Sequence, residues 1–164
     1  MRLLHLPTFW TVLLDFALWF IIHMGVVLLM VRIPTERFDP DHWLHRERRW
    51  EIEGRIYQGV FRIKRWKRHL PDGAPLLGNA GFPKKNLQGR DEAYLREFML
   101  ETCRAELTHW VILLFAPLFF LWNTTWVGFL MIFYAAAENL PLIVAQRYNR
   151  YRFRRILRNA NGGG

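Results

Sequence analysis

The chain has 164 residues, of which 52% are apolar and 16% aromatic, yet its formal net charge is +9. This combination argues against an ordinary soluble domain and is typical of a small membrane protein with a basic cytoplasmic face. Cys103 is the only cysteine, which excludes an intrachain disulfide and a cysteine-based zinc site.

Three apolar segments are predicted to cross the bilayer, whose hydrocarbon core takes about 20 helical residues. The first covers residues 8–32 and exceeds the roughly 7–15 apolar residues of a cleaved signal peptide, so we expect a retained anchor. A helix over residues 91–122 enters the second span, and residues 126–146 form the third. Because only three polar residues separate the last two spans, they are expected to form a tight helical hairpin.

Arginine and lysine concentrate in the segment after the first span, residues 33–90, and in the tail, residues 147–164. The positive-inside rule places both segments in the cytoplasm, which predicts a multi-pass membrane protein. Because these cations border the spans, we expect them to contact lipid headgroups or a phosphorylated donor, and we expect no nucleic-acid partner.

The predicted fold is therefore a single all-α integral membrane domain, residues 1–164, with about three transmembrane helices and cytoplasmic amphipathic interfacial helices. An aspartate at position 39 or 41 can cap a helix running through Trp43 and Trp50. A second amphipathic stretch follows over residues 52–66. Residues 71–89 are rich in proline and glycine and are expected to form a loop, after which Asp91 caps the next helix.

Ionisable side chains at membrane depth are costly, so each is a candidate functional group with a nearby partner. Glu106 and His109 are three residues apart and share a helix face. A carboxylate that accepts a hydrogen bond from one imidazole nitrogen makes the other nitrogen a better base, which is what removing a proton from an alcohol requires. The alternative is that Glu106 pairs with Arg104 or with a tail arginine and anchors the helix at the interface.

A second polar pair, Glu138-Asn139, lies inside the third span. Pro141 removes one backbone hydrogen bond, so we expect the helix to be locally broken at the acid. The pair serves either an active site or a hydrogen-bonded contact between helices. In the first span, Asp15 and His23 lie roughly on one face, where they either complete a buried polar site or pair structurally.

Two further groups suggest chemistry that we do not predict. His42 and His45 lie near two aspartates, but the remaining histidines are scattered, so no metal site is expected. Cys103 lies six positions before His109 and could act as an acylated nucleophile, although a buried inert thiol is the simpler interpretation.

Several sequence strings carry a family resemblance. They are Arg-Ala-Glu-x-x-His-Trp at residues 104–110, Gln-Arg-Tyr-Asn-Arg at residues 146–150, Arg-Ile-Pro at residues 32–34 and Phe-Arg-Ile-Lys-Arg-Trp-Lys at residues 61–67. Together they resemble the glycosyl-4,4'-diaponeurosporenoate acyltransferases, small bacterial membrane enzymes of carotenoid synthesis. The resemblance implies that a fatty acyl group passes from a thioester donor to the primary hydroxyl of a sugar on a carotenoid acid.

On this hypothesis His109 is the general base that acts on the acceptor hydroxyl, and Glu106 or Glu138 orients it. Three side chains are candidates for stabilising the oxyanion: Asn139, Arg104 and Gln146. Four cations would bind a phosphate-bearing donor such as acyl-CoA: Lys84, Lys85, Arg62 and Lys64.

No bound cofactor is expected, because the acyl thioester is a co-substrate. The expected partners are membrane lipids, a lipid-soluble glycosylated acceptor and the fatty acyl donor, while the oligomeric state does not follow from the sequence. Two alternatives remain open: a non-enzymatic membrane scaffold or lipid-binding subunit, and a membrane lipid hydrolase that uses the same histidine and glutamate.

Overall fold

The computed structural model describes residues 4–51, 54–70 and 91–161, and these contain helices and turns but no strand. The α-helices are α1 (Thr8–Val31), α2 (Arg55–Gly59), α3 (Ile63–Trp66), α4 (Glu92–Phe115) and α5 (Thr125–Asn161). Short 3-10 helices occupy Thr35–Arg37, Arg49–Glu51, Lys67–His69 and Ala116–Leu121. Three helical stretches of the described chain are long and apolar enough to cross a membrane: Thr8–Val31, Glu92–Leu121 and Thr125–Ala160. The predicted all-α fold with three spans is confirmed.

The chain divides into two compact units. The first unit, which we call the span unit, combines Met1–Arg32 with Leu107–Pro141. The second, the polar unit, combines Ile33–Glu106 with Leu142–Gly164. The predicted organisation as one membrane domain stays a prediction.

The core of the span unit is aromatic. The indole of Trp19 on α1 stacks on the ring of Phe119, with 4.6 Å between the ring centroids and 23° between the planes. Ile112, Ala116 and Ala135 complete the buried cluster. Large apolar side chains elsewhere on these helices are exposed, as lipid-facing surface requires; among them are Phe9, Phe16, Phe20, Trp126 and Phe133.

Asp15 joins α1 to the turn between the second and third spans. Its Oδ1 atom accepts hydrogen bonds of 2.7 Å from Trp122 Nε1 and from Asn123 Nδ2. The carboxylate is only 6% exposed, so these two donors replace its lost hydration. Asp15 is therefore a structural contact between helices, one of the two interpretations that the sequence left open.

The two prolines of the spans have different effects on their helices. Pro117 lacks the N–H that would donate to Leu113, and α4 ends at Phe115 before continuing as a 3-10 helix. Pro141 lies inside α5, which nevertheless runs as one helix of 37 residues. The predicted break of this helix at Glu138 is wrong, because a helix within a membrane tolerates a proline when neighbouring groups satisfy the freed backbone.

In the polar unit the predicted interfacial helices are shorter than expected. The helix expected through Trp43 and Trp50 does not form, and turns are followed there by a 3-10 helix at Arg49–Glu51. The reason is local, because Asp39 Oδ1 accepts the backbone N–H of Asp41 at 2.8 Å and favours a turn over a helix.

The stretch over residues 52–66 contains two left-handed residues, Gly54 (φ 77°) and Arg62 (φ 48°), which directly precede α2 and α3 and prevent one continuous helix from forming. A Cβ at position 54 would lie 2.1 Å from the ring of Tyr151, so the close approach also requires glycine. The predicted cap of α4 is confirmed, since Asp91 Oδ1 accepts the backbone N–H of Tyr94 at 2.8 Å. The loop expected over residues 71–89 lies outside the described residues.

Candidate active site

His109 on α4 and Asn139 on α5 form a hydrogen-bonded pair within the span unit. The distance from His109 Nδ1 to Asn139 Oδ1 is 2.9 Å. Asn139 is 1% exposed, and its Nδ2 atom donates to the backbone carbonyl of Ala135 at 2.9 Å. Because the amide nitrogen is used in this way, the amide oxygen faces the ring and His109 Nδ1 is the donor.

This contact fixes the tautomer of His109. A neutral imidazole with its proton on Nδ1 carries its lone pair on Nε2, the atom that can accept a proton. The amide of Asn139 orients the ring as a carboxylate would, but it adds no negative charge. Asn139, predicted as an oxyanion donor, is therefore placed as the partner of the histidine.

Glu138 also faces a histidine, and that histidine is His23 on α1. The distance from His23 Nε2 to Glu138 Oε1 is 3.4 Å, which is an ion-pair distance rather than a hydrogen bond. His23 Nδ1 lies 2.8 Å from the carbonyl oxygen of Trp19 and donates to it. Asp15 and His23 thus have separate partners and do not complete one polar site.

The Glu106 carboxylate is fully buried and is neutralised by arginines of α5. Its Oε1 atom accepts from Arg147 Nη1 at 2.7 Å, and its Oε2 atom accepts from Arg150 Nη2. His45 Nδ1 lies 3.4 Å from the same Oε2 atom. These contacts match the alternative in which Glu106 pairs with a tail arginine.

Arg147 extends this pairing to a second buried acid. Its Nη2 atom donates to Glu51 Oε1 at 2.8 Å, and Glu51 Oε2 accepts the hydroxyl of Tyr57 at 2.5 Å. Burial and the adjacent Glu51 carboxylate raise the pKa of Tyr57 well above its usual range, so this hydroxyl stays a donor. We call the following set the buried ion cluster: His45, Glu51, Glu106, Arg147 and Arg150.

The arginines also hold the backbone before Glu51. Arg147 Nη1 donates to the carbonyl of Leu44 at 3.0 Å, and Arg150 Nε donates to the carbonyl of His45 at 3.1 Å. A segment without regular helix is thereby fixed to α5, with its carbonyl groups satisfied. An open cleft lies over the cluster and is lined by His45, Glu47, Glu51, Arg147, Arg150, Tyr151 and Arg154.

The other predicted oxyanion donors have different environments in the polar unit. Arg104 Nη2 donates to Glu101 Oε1 at 2.5 Å, one turn earlier on α4. The Oε1 atom of Gln146 is buried and finds no donor among the described residues. Cys103 is fully buried, as the simpler interpretation of this thiol expects.

The structure describes only part of the predicted donor site. Arg62 and Lys64 are exposed at the start of α3. Lys84 and Lys85 lie outside the described residues. No group of three or more potential metal ligands (histidine, cysteine or acid) occurs in the described parts of the chain.

Sequence reasoning missed most of the buried ion cluster. Glu51 received no role, His45 was considered only as a metal ligand, and Arg147 and Arg150 were considered only as members of the tail arginines that could pair with Glu106. One signal was available, because arginines at positions 147 and 150 share a helix face in a tail that contains no acid. Two buried arginines require carboxylates from elsewhere in the chain.

Comparison with known proteins identifies the family. Residues 40–159 match the family described as glycosyl-4,4'-diaponeurosporenoate acyltransferase. The chain belongs to this family. Relatives with that name from Staphylococcus aureus, strains bovine RF122 / ET3-1 and MRSA252, are each 31% identical over 140 residues, which is 85% of this chain and 84% of theirs. No solved structure matches the chain.

Membership makes this chain an acyltransferase, and its three candidate spans make it a membrane protein. The predicted family is confirmed. The match to the glycosyl-4,4'-diaponeurosporenoate acyltransferase family contains His109, Asn139 and the whole buried ion cluster, but it begins after α1. Asp15 and His23 therefore lie outside the matched region.

Proposed function

We propose that the enzyme transfers a fatty acyl group from a thioester, such as acyl-CoA, to a sugar hydroxyl of a glycosylated carotenoid. The name shared by the family and its relatives supports this acceptor class. The observation that carries the chemistry is the contact of 2.9 Å between His109 and Asn139, which leaves the basic nitrogen of the ring at Nε2.

In the proposed reaction the sugar hydroxyl attacks the thioester carbonyl while His109 Nε2 takes its proton. The new C–O bond forms, the C–S bond breaks, and the imidazolium returns the proton to the leaving sulfur. The products are an ester and a free thiol, so the histidine ends as it began. General base catalysis of this kind typically contributes about 10²- to 10⁴-fold in rate.

Glu106 takes a structural role in this proposal, because Arg147 and Arg150 already neutralise its carboxylate. Glu138 faces His23 and directly precedes Asn139 on α5. In this proposal its charge influences the electrostatic potential near the site. The polar unit is proposed to face the cytoplasm, where a soluble acyl-CoA would be found.

The decisive variant is His109→Ala. Purified protein in lipid vesicles receives labelled acyl-CoA with and without a glycosylated carotenoid, and labelled ester is measured. We expect a loss of at least about 10²-fold, because the base is removed. His5→Ala is the matched control, since this exposed histidine lies outside the proposed site.

The products separate the alternatives. Labelled ester formed by the parent protein supports the proposal, whereas free fatty acid alone identifies a hydrolase. Near-normal ester formation by His109→Ala would contradict the assignment of the base.

A further inference from the structure

Lys67 follows α3 and lies against α5 in the polar unit. Its Nζ atom donates to Asn149 Oδ1 and lies 5.3 Å from the centroid of the Tyr148 ring. Asn149 is 3% exposed and Tyr148 is 8% exposed, so a buried amide and a buried ring fix the position of this ammonium group. Because the side chain of Lys67 is already held in place, binding a ligand would cost it little further conformational entropy.

Among the residues that the structure describes, none neutralises the charge of Lys67. Asn149 and Tyr148 are neutral acceptors, and no carboxylate lies within ion-pair distance of Lys67 or Arg152 in the described ranges. Burial and the positive charge of Arg152 on α5 lower the pKa of Lys67 to about 8. Two cations without a carboxylate are in electrostatic conflict, which a bound anion would relieve.

The setting of Lys67 differs from that of three arginines of α5 in the polar unit. Arg147, Arg150 and Arg154 all have carboxylate partners. The Lys67 site instead combines an ammonium fixed by the buried Asn149 amide with the nearby guanidinium of Arg152. Ammonium, guanidinium and amide donors are the groups that bind phosphate.

We propose that Lys67, Arg152 and Asn149 bind a phosphate group of the acyl donor. This inference rests on the proposed function and names a donor-binding residue, Lys67, beyond the cations predicted from the sequence. A lipid headgroup offers the same phosphate chemistry, so the experiment must distinguish donor phosphate from lipid phosphate.

The test compares two acyl donors in vesicles of neutral lipid. One is acyl-CoA, and the other is the acyl thioester of N-acetylcysteamine, which has no phosphate. Lys67→Met keeps much of the apolar stem over Tyr148 and removes the charge. Arg65→Met, an exposed cation on α3, is the matched control.

For Lys67→Met we expect the KM for acyl-CoA to rise about tenfold, while the KM for the phosphate-free thioester stays the same. Arg65→Met should change neither value. An equal loss with both donors would overturn the proposal, because it would show a structural role. A loss that appears only in vesicles containing anionic lipid would assign the site to a headgroup and would also overturn it.

The pH dependence gives a second readout. The charged group that acts on Lys67 from α5 is Arg152, and Tyr148 faces Lys67 with its ring. As the pH rises through about 8, Lys67 loses its proton and the KM for acyl-CoA should increase. Lys67→Arg keeps its charge and should remove this increase, whereas an unchanged pH profile in Lys67→Arg would contradict the proposal.

Binding of free CoA separates this inference from the proposed function. If the parent protein transfers acyl groups from neither thioester, the proposed function fails. CoA binding by the same preparation still tests the site, and it should weaken about tenfold in Lys67→Met but not in Arg65→Met. Equal CoA affinity in the parent protein and in Lys67→Met would overturn the inference independently of turnover.

Discussion

Asn139 is a neutral partner for a histidine that must gain a positive charge during catalysis. A carboxylate would stabilise the imidazolium strongly, whereas an amide oxygen offers only its dipole. The amide has a compensating advantage, because a buried charge within a membrane span is costly and Asn139 avoids it. The NH₂ group of Asn139 donates to the backbone carbonyl of Ala135, so this donor has a hydrogen-bond partner within the span.

We therefore predict that Asn139→Ala lowers kcat by about 10- to 100-fold and leaves KM nearly unchanged, because the ring loses its fixed tautomer. The measurement is the rate of ester formation at saturating acyl-CoA. Asn139→Asp restores an acceptor and should recover part of the activity, which a merely structural role would not explain. Asn159→Ala, at an exposed position of α5, is the control.

The sequence indicated the candidate residues better than their partners. His109, Glu106, Glu138 and Asn139 were all identified as polar groups in or beside apolar helices. Which acid or amide meets which histidine depends on how α1, α4 and α5 rotate against one another, and spacing along one helix does not contain this information. The structure brings Asn139 to His109 and Glu138 to His23, while Glu106 pairs with Arg147 and Arg150.

At the scale of elements, the buried ion cluster connects α4, α5 and the irregular segment before α2. Removing one member of a buried ion pair leaves the other charge uncompensated, which costs about 3–5 kcal/mol. Glu106 is opposed by both Arg147 and Arg150, so its removal takes the carboxylate partner from Arg150 and leaves Arg147 with Glu51 alone.

We predict that Glu106→Ala lowers the free energy of unfolding by about 3–5 kcal/mol. Glu92→Ala is the matched control, because Glu92 pairs with Arg96 on the exposed surface of the same helix, and such pairs contribute about 0–1 kcal/mol. Thermal unfolding in detergent, followed by tryptophan fluorescence, measures the difference. Full stability together with lost activity in Glu106→Ala would instead return Glu106 to the catalytic role predicted from the sequence.

The elements differ in how far the sequence determines them. The long apolar helices were predicted correctly because their length and hydropathy outweigh the conformational preferences of individual residues. The segment around Trp43 has mixed polarity, so one hydrogen bond from the backbone N–H of Asp41 to the Asp39 carboxylate is enough to favour a turn. Gly54 and Arg62 directly precede α2 and α3, and each adopts a left-handed backbone conformation that cannot continue a right-handed helix, so the segment is divided into short helices.

At the scale of the whole molecule, the distribution of charge sets the expected orientation in the membrane. Helix α5 has 37 residues and is therefore about 56 Å long, whereas the hydrocarbon core measures about 30 Å. Its second half carries six arginines: Arg147, Arg150, Arg152, Arg154, Arg155 and Arg158. That half must lie outside the hydrocarbon, on the side that the positive-inside rule assigns to the cytoplasm.

We predict that alkaline phosphatase fused after residue 164 is inactive in cells, because this enzyme requires export. Green fluorescent protein fused at the same point should fluoresce. The matched control is a chain ended after Asn123 and fused to the phosphatase, which should be active if the turn between the second and third spans faces outward, as the positive-inside rule predicts. Phosphatase activity at the C-terminus would reverse the assigned topology.

Helix α1 packs against the hairpin formed by the second and third spans, in addition to crossing the membrane. Trp122 and Asn123 both donate to Asp15, and Phe119 is covered by Trp19. A protein trimmed of this helix would therefore leave two donors unsatisfied and an aromatic face bare at the hairpin. We therefore expect that loss of α1 from the protein would destabilise the helical hairpin.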